Sequence, residues 1–387
     1  MKEFRNIPVE KLALQLAGRT DLDVPRILRQ VEGWQRLRTK VPTWAAIDDL
    51  EYPRRLSLEQ CSGEPAARYK AEVVCRLLQT LPDRTHRMVD LTGGLGVDFS
   101  FIAPLFDEAV YVERQEELCE LAQHNFPLLG LPDAEIVCGD GTSYLQTMPP
   151  ADLIFLDPAR RDSAGRKTVL IEECEPDVCS LRDTLLQKGT FVVLKLSPML
   201  DIVGAVQALR TVSEVHVVSV GGECKDLLLV LTSAECDDPL IVAREGTISF
   251  TYRQSEESVA APAYVSACEA YLYEPGAAVL KSGAFKLAAT RFGLKKLHPS
   301  SHLYTGSELV DDFPGRRFKV TDVYTFGKKD LKRLKSVTER ANLTVRNFPS
   351  SVDALRKKLK LKDGGEIYLF ATTWSNGEHV LIQSVKA

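Results

Sequence analysis

Four acids, each following a short apolar run, and one glycine-rich bend are the residues of this sequence best suited to chemistry. In Met88-Val89-Asp90-Leu91-Thr92-Gly93-Gly94-Leu95-Gly96-Val97-Asp98, Asp90 ends an apolar strand and three glycines form the turn behind it. Glycine serves where the backbone takes positive φ or where a ligand approaches the main chain closely. A strand, a glycine turn and a following helix build the nucleotide-binding crevice of an open α/β sheet. The next apolar run, Ala109–Val112, ends in Glu113, 17 residues beyond Gly96, near the offset at which an acid meets a ribose hydroxyl. Ala134–Cys138 then leads into Gly139-Asp140, and Ala151–Leu156 into Asp157-Pro158-Ala159-Arg160-Arg161-Asp162. In a doubly wound sheet, Asp90, Glu113, Asp140 and Asp157 all fall along one carboxyl edge, where ligands bind.

Each residue also has a purely structural reading. Gly93 would serve any tight turn, Asp90 would cap loop amides, and Glu113 would start a helix, since acids favour the first turn. Asp140 before Gly141 would be an ordinary turn residue. Their occurrence together, in this order, favours a cofactor site.

Over roughly residues 62–233 the motifs resemble the class I S-adenosylmethionine-dependent methyltransferases. The resemblance implies S-adenosyl-L-methionine as cofactor, with Asp90, Thr92, Gly93, Gly94, Gly96, Asp98, Glu113 and Asp140 as its binding positions. Gly93, Gly94 and Gly96 would approach its amino-acid end, Glu113 the ribose hydroxyls and Asp140 the adenine amino group. It also implies that Asp157 and Pro158 close the fourth strand at the reaction centre. Lys70, in the helix before the first strand, would reach the methionine carboxylate; the alternative is a solvent-facing lysine. A dehydrogenase reading fits less well, because its third fingerprint glycine would fall at Phe99 and Asp157-Pro158 would have no role.

The elements that must position these residues are legible in outline. At 387 residues the chain exceeds one ordinary core, so two or three domains are expected. Residues 1–61, helical in spacing and broken by Pro8, Pro25, Pro42 and Pro53, form an N-terminal helical module. A helix follows from Ser62 to about Leu78, with Pro65 in its first turn. Helices are expected near 174–187 and 201–210, with a buried strand at 190–195 between them. Glu214–Val220 and Asp226–Thr232, joined by Gly221-Gly222-Glu223, have no helix between them. They form a hairpin, so the last strand runs antiparallel. The expected fold is α/β: a Rossmann-like seven-stranded methyltransferase sheet over 62–235 with an antiparallel terminal hairpin. Residues 236–280 read as a connecting β-rich segment and 281–387 as a small basic α/β module. Together, catalytic domain and tail resemble bacterial methyltransferases with a C-terminal THUMP-like domain, which implies an RNA substrate (tRNA or rRNA).

Charge points the same way. The net charge of −4 conceals 21 Lys+Arg against 10 Asp+Glu in residues 281–387, a basic module on an acidic chain. Such a module suits a polyanion. No apolar run reaches the ~20 residues of a membrane helix and no signal-peptide core opens the chain. The nine cysteines lack Cys-x-x-Cys pairs, so reduced thiols, no metal site and a cytoplasmic location are expected.

At the reaction centre Asp157, Pro158 and Arg160 are the catalytic candidates. Asp157 would accept from an amine and aim its lone pair, while Arg160 or Arg161 would hold a phosphate or base edge. Amino-methylating relatives carry a second proline and an aromatic where Ala159 and Arg160 stand. Asp-Pro-x-Arg is also similar to RNA uracil-C5 methyltransferases, whose cysteine nucleophile follows the fifth strand. Here that stretch is Lys195-Leu196-Ser197-Pro198, so covalent chemistry is disfavoured and transfer to a base nitrogen, guanine N2 foremost, is expected. An RNA-binding protein with an inactive methyltransferase domain and a small-molecule methyltransferase stand as alternatives.

Overall fold

The computed structural model describes residues 2–53, 55–160 and 170–387. It divides into two compact units, one of residues 1–215 with 225–237 and one of residues 216–224 with 238–387.

The strands are β1 (Arg87–Asp90), β2 (Glu108–Glu113), β3 (Glu135–Cys138), β4 (Ala151–Leu156), β5 (Gly189–Leu196), β6 (Val212–Val220) and β7 (Glu223–Leu231), all in the first unit except residues 216–224 at the β6–β7 tip. They lie in the order β3-β2-β1-β4-β5-β7-β6. The pairs from β3 through β5 are parallel, whereas β7 runs antiparallel to β5. The reversal after β1 leaves a topological switch point between β1 and β4, where such sheets open a crevice beyond the strand ends. The β6–β7 hairpin turns through Gly221 and Gly222, with φ of 63° and 80°. The antiparallel end expected from sequence is present, while the sheet runs to nine strands among the described residues rather than seven, because two strands of the segment read as a connector extend it.

The helices that matter to the site are α1 (Glu64–Leu78), α2 (Val97–Ile102), α3 (Glu116–Leu128) and α4 (Gly141–Thr147). In α1, Pro65 occupies the first turn, where a missing N–H costs nothing. The α1 side chains Ala67, Tyr69, Lys70, Val73, Val74 and Leu77 are buried. The N-terminal helices, chiefly Val24–Lys40 with Asp23 capping the Arg26 amide, belong to this unit. Their Leu37, Val41 and Trp44 share a core with Ala67 of α1 and Val97 of α2. The Trp44 indole donates to Ser100 Oγ at 3.1 Å.

In the second unit, β8 (Leu240–Glu245) runs beside β6 and β9 (Ile248–Arg253) beside β8. A second sheet holds β10 (Tyr271–Pro275), β11 (Lys295–Lys296), β12 (Tyr304–Gly306), β13 (Gly315–Thr325), β14 (Asn342–Val345), β15 (Tyr368–Thr373) and β16 (His379–Lys386), in the order β11-β12-β10-β13-β16-β15-β14. The unit boundary falls after Asp237, so residues 238–280 group with the C-terminal strands. Helices α5 (Lys328–Val337) and α6 (Val352–Leu359) bury Leu331, Leu334, Leu355 and Leu359 in one core. Lys328, Lys329, Lys332, Lys335, Lys357 and Lys358 face solvent. Among the described residues no helix is long and apolar enough to cross a membrane.

Candidate active site

The glycine turn is shaped from below by one aromatic ring. Tyr111 of β2 is fully buried, edge-on to Phe99 and Phe126 at 5.5 and 5.1 Å between ring centroids. A Cβ on Gly93 would meet the Tyr111 ring at 2.1 Å, and one on Gly96, at φ 82°, would meet Phe126 at 2.8 Å. The Tyr111 hydroxyl donates to the Gly94 carbonyl, while the Gly94 amide donates to Glu113 Oε2 at 2.8 Å. Tyr111 and Glu113 are two apart on one strand and so share a face. Together they grip the same residue of the turn.

The four acids do come to one rim. Asp90 and Glu113 end parallel neighbours β1 and β2, Asp140 follows β3 after Gly139, and Asp157 directly follows β4. Asp90 is buried and accepts the Thr92 amide at 2.9 Å. Burial, against the pull of that amide and with added repulsion from Asp98, Asp157 and Glu113, pushes its carboxyl up to about 8. Glu113 Oε1 accepts the Gln115 amide at 2.9 Å, so each of its oxygens takes one backbone N–H and keeps acceptor capacity. Asp140 is exposed and caps α4: both the Thr142 hydroxyl and the Ser143 amide bond its Oδ1, and these bonds hold its carboxyl below the ordinary value. Thr92 ties the turn to the Asp-Pro segment, its Oγ1 accepting the Asp157 amide at 2.6 Å.

Lys70 and Asp98 bond directly to each other. The Lys70 side chain has 0% exposure, which removes the solvent-facing alternative. Its ammonium donates to Ser62 Oγ and Asp98 Oδ1, both at 2.8 Å, and forms an ion pair with Asp226 Oδ2 at 2.6 Å. Asp226 Oδ2 makes no hydrogen bond, so that contact is Coulombic. Two hydrogen bonds and this ion pair surround the fully buried ammonium. Asp98 also accepts from Ser62 at 2.7 Å. Burial alone would raise Asp98, but Lys70 and Lys195 outweigh it and hold the carboxyl below its ordinary value.

Lys195, Asp226, Ser62 and Tyr111 are the site residues that motif reading missed. Lys195 of β5 donates to Asp157 Oδ2 and lies 4.0 Å from Asp98 Oδ2. The signal for it was a lysine in an otherwise apolar strand, at the same edge as Asp157. Burial lowers Lys195, but Asp157, Asp98 and Asp226 together hold it above the ordinary lysine value. Asp157 is half-buried at the strand edge, where burial raises its carboxyl more than Lys195 lowers it. Pro158 follows directly, and the backbone of Arg160 pairs with Cys174 in a two-residue strand. Arg161 lies outside the described residues.

Asp98, Glu113, Asp157 and Asp226 gather more negative charge than Lys70 and Lys195 neutralise, even with Asp90 holding its proton up to about pH 8. An excess of buried carboxylate beside a turn bare of side chains fits a cationic nucleoside, which S-adenosylmethionine with its sulfonium is. Asp226 Oδ2, buried without a hydrogen bond, is a further acceptor.

Comparison with known proteins agrees with this geometry. A ferredoxin-like domain family matches residues 271–314 and a THUMP domain-like family residues 315–384. A protein of Porphyromonas gingivalis W83 with a crystal structure, assigned as a methyltransferase, is 37% identical. The likeness covers 100% of this chain and 96% of that one, with a TM-score of 0.87. A protein of Mycobacterium tuberculosis (strain H37Rv), named an uncharacterized S-adenosylmethionine-dependent methyltransferase, is 25% identical over 308 residues, 79% of this chain and 80% of that relative.

Two measurements probe this geometry. Gly93→Ala is expected to lose about 1–3 kcal/mol in denaturant unfolding, the usual range for overpacking. Gly139→Ala, where a Cβ meets nothing within 4 Å, stays near wild type. Asp90 titrates at 3.8 when unperturbed and at about 8 in the fold. The folded state therefore binds the extra proton between these values, and this group's effect is to lower stability as pH rises through that window. Asp90→Asn is expected to flatten the dependence of Tm on pH, gaining on wild type at pH 8 and not at pH 4; parallel profiles would contradict the assignment.

Proposed function

Because the chain belongs to the family of S-adenosylmethionine-dependent methyltransferases with a C-terminal THUMP-like domain, we propose that it methylates RNA by direct transfer, without an enzyme-bound intermediate. The observation that carries this reading is the cationic surface of the second unit. Helices α5 and α6 bury their leucines and present Lys328, Lys329, Lys332, Lys335, Lys357 and Lys358, none in an ion pair among the described residues. Arg333 and Arg356, by contrast, pair with Asp322 and Asp363. Uncompensated cations on adjacent turns favour a phosphate backbone, whose counterions they displace.

At the first unit, the turn at Gly93, Gly94 and Gly96 admits the amino-acid end of the cofactor. Glu113 receives the ribose hydroxyls on the lone pairs its two amide bonds leave. Asp140 Oδ2 receives the adenine amino group, since the capping bonds fall on Oδ1. When bound, S-adenosylmethionine supplies an electrophilic methyl group. Asp157 orients the accepting group and takes its proton, and Lys195 and Thr92 fix Asp157 from its side chain and its amide. Positioning of this kind is the main lever available to methyl transfer. Lys70 and Asp98 hold this cluster rather than the cofactor.

The test uses the full chain and RNA from cells lacking it. Reversing Lys328, Lys329, Lys332 and Lys335 to Glu is expected to weaken RNA binding at least about tenfold and to flatten its salt dependence, by roughly one unit of log–log slope for each phosphate no longer neutralised. Calorimetric binding of S-adenosylhomocysteine should not change. RNA binding equal to wild type would remove the proposed surface. Asp157→Ala should slow methyl transfer by about a hundredfold or more with cofactor affinity intact, and full turnover would exclude it from catalysis.

A further inference from the structure

Lys195 sets this reaction centre apart from one built for an amine. A carboxylate that only accepts hydrogen bonds from a base amine needs no cation, and the amine nitrogen becomes more positive as it is methylated. An ammonium seated on that carboxylate works against it. Desolvating the ammonium is also unfavourable, so its presence asks for a reason. The exposures in the cluster show what an acceptor meets. The Asp157 side chain is 39% open and Lys195 10%, while Lys70 is closed off. Asp98 and Asp226 are nearly buried beside Lys70. The accessible face is thus a carboxylate with an ammonium at its edge, backed by Lys70, Asp98 and Asp226. That pair suits an acceptor that loses a proton and becomes anionic.

We infer that the methyl acceptor is a hydroxyl oxygen, the ribose 2′-hydroxyl of RNA, with Asp157 taking its proton and Lys195 stabilising the developing oxyanion. This rests on the RNA reading above. Asp157 holds the hydroxyl by its hydrogen and receives that proton, while the oxygen's electron pair forms the new C–O bond as the methyl C–S bond breaks and sulfur keeps that pair. Lys195, itself mostly buried, donates to the same oxygen as a fixed donor aimed at charge as it develops. Asp157, raised above the ordinary carboxylate value by burial, is the stronger base for it, and Lys195, raised by its three acids, stays charged. Lys70 is a positioning residue: through Asp98, which lies between the two lysines, it fixes the place of Lys195.

The deciding experiment incubates the full-length protein with S-adenosyl-[methyl-³H]methionine and RNA from cells lacking it, then digests the RNA to nucleosides. Label in a 2′-O-methylnucleoside is expected, and an oligonucleotide with a 2′-deoxy residue at the labelled position should accept none. Label on a base, guanine N2 included, overturns this inference and leaves the RNA reading standing. No label in any RNA overturns the RNA reading and the inference with it. Lys195→Met should lower the rate by about a hundredfold or more, the usual loss for one oxyanion donor, with partial recovery in Lys195→Arg. In the ligand-free protein the same Met variant should move the Asp157 titration, followed by ¹³C carboxyl NMR, to higher pH, while S-adenosylhomocysteine binds within about threefold of wild type. A Lys195→Met variant of wild-type rate would overturn the role of Lys195.

Discussion

The seating of the glycine turn on Tyr111 is the contact on which the rest of the site depends. The ring occupies the space a side chain at Gly93 would need, and its hydroxyl holds the Gly94 carbonyl. Two residues on, along the same face of β2, Glu113 holds the Gly94 amide. One strand face therefore dictates both the path of the turn and the position of Glu113 beside it. Thr92 at the head of the turn then fixes the main chain of Asp157. A shift of the turn would move cofactor and reaction centre together.

Electrostatics supplies the second constraint. Burial first, and then repulsion among carboxylates crowded at one rim, opposes ionisation, and together they push the Asp90 carboxyl up to about 8. The two buried lysines make the arrangement tolerable: Lys70 sits between Asp98 and Asp226, and Lys195 between Asp157 and Asp98. The remaining excess is negative and suits a sulfonium. The same framework thus serves stability and recognition, because the charge the fold leaves unbalanced is the charge a cationic ligand brings.

Much of this was legible in the sequence, and the division between what was and was not is physical. Asp90, Glu113, Asp140 and Asp157 are readable because each ends a strand or lies within two residues of its end, and the strand itself carries the acid to the edge. The hairpin is readable because Gly221-Gly222 leaves no room for a crossover. Lys195 is hidden inside a run that reads as a buried strand. Only the parallel register of β4 with β5, Leu156 beside Leu194, sets it next to Asp157. Asp226 reaches Lys70 only because β7 folds back along β5, and Ser62 meets Asp98 across 36 residues of chain. Lys70 and Asp98 were visible as polar residues near the turn. Their mutual bond, which gives them a framework part, is a tertiary fact that no local pattern encodes.

The hairpin tip has a consequence for how the molecule holds together. Residues 216–224 group with the second unit although the stretches on either side of them belong to the first, and the chain passes over again after Asp237. Three covalent crossings join the halves. A protease nick at any one of them yields two fragments, at least one of which still carries residues of both units, so no single cut separates the lysine-rich half cleanly from the catalytic half.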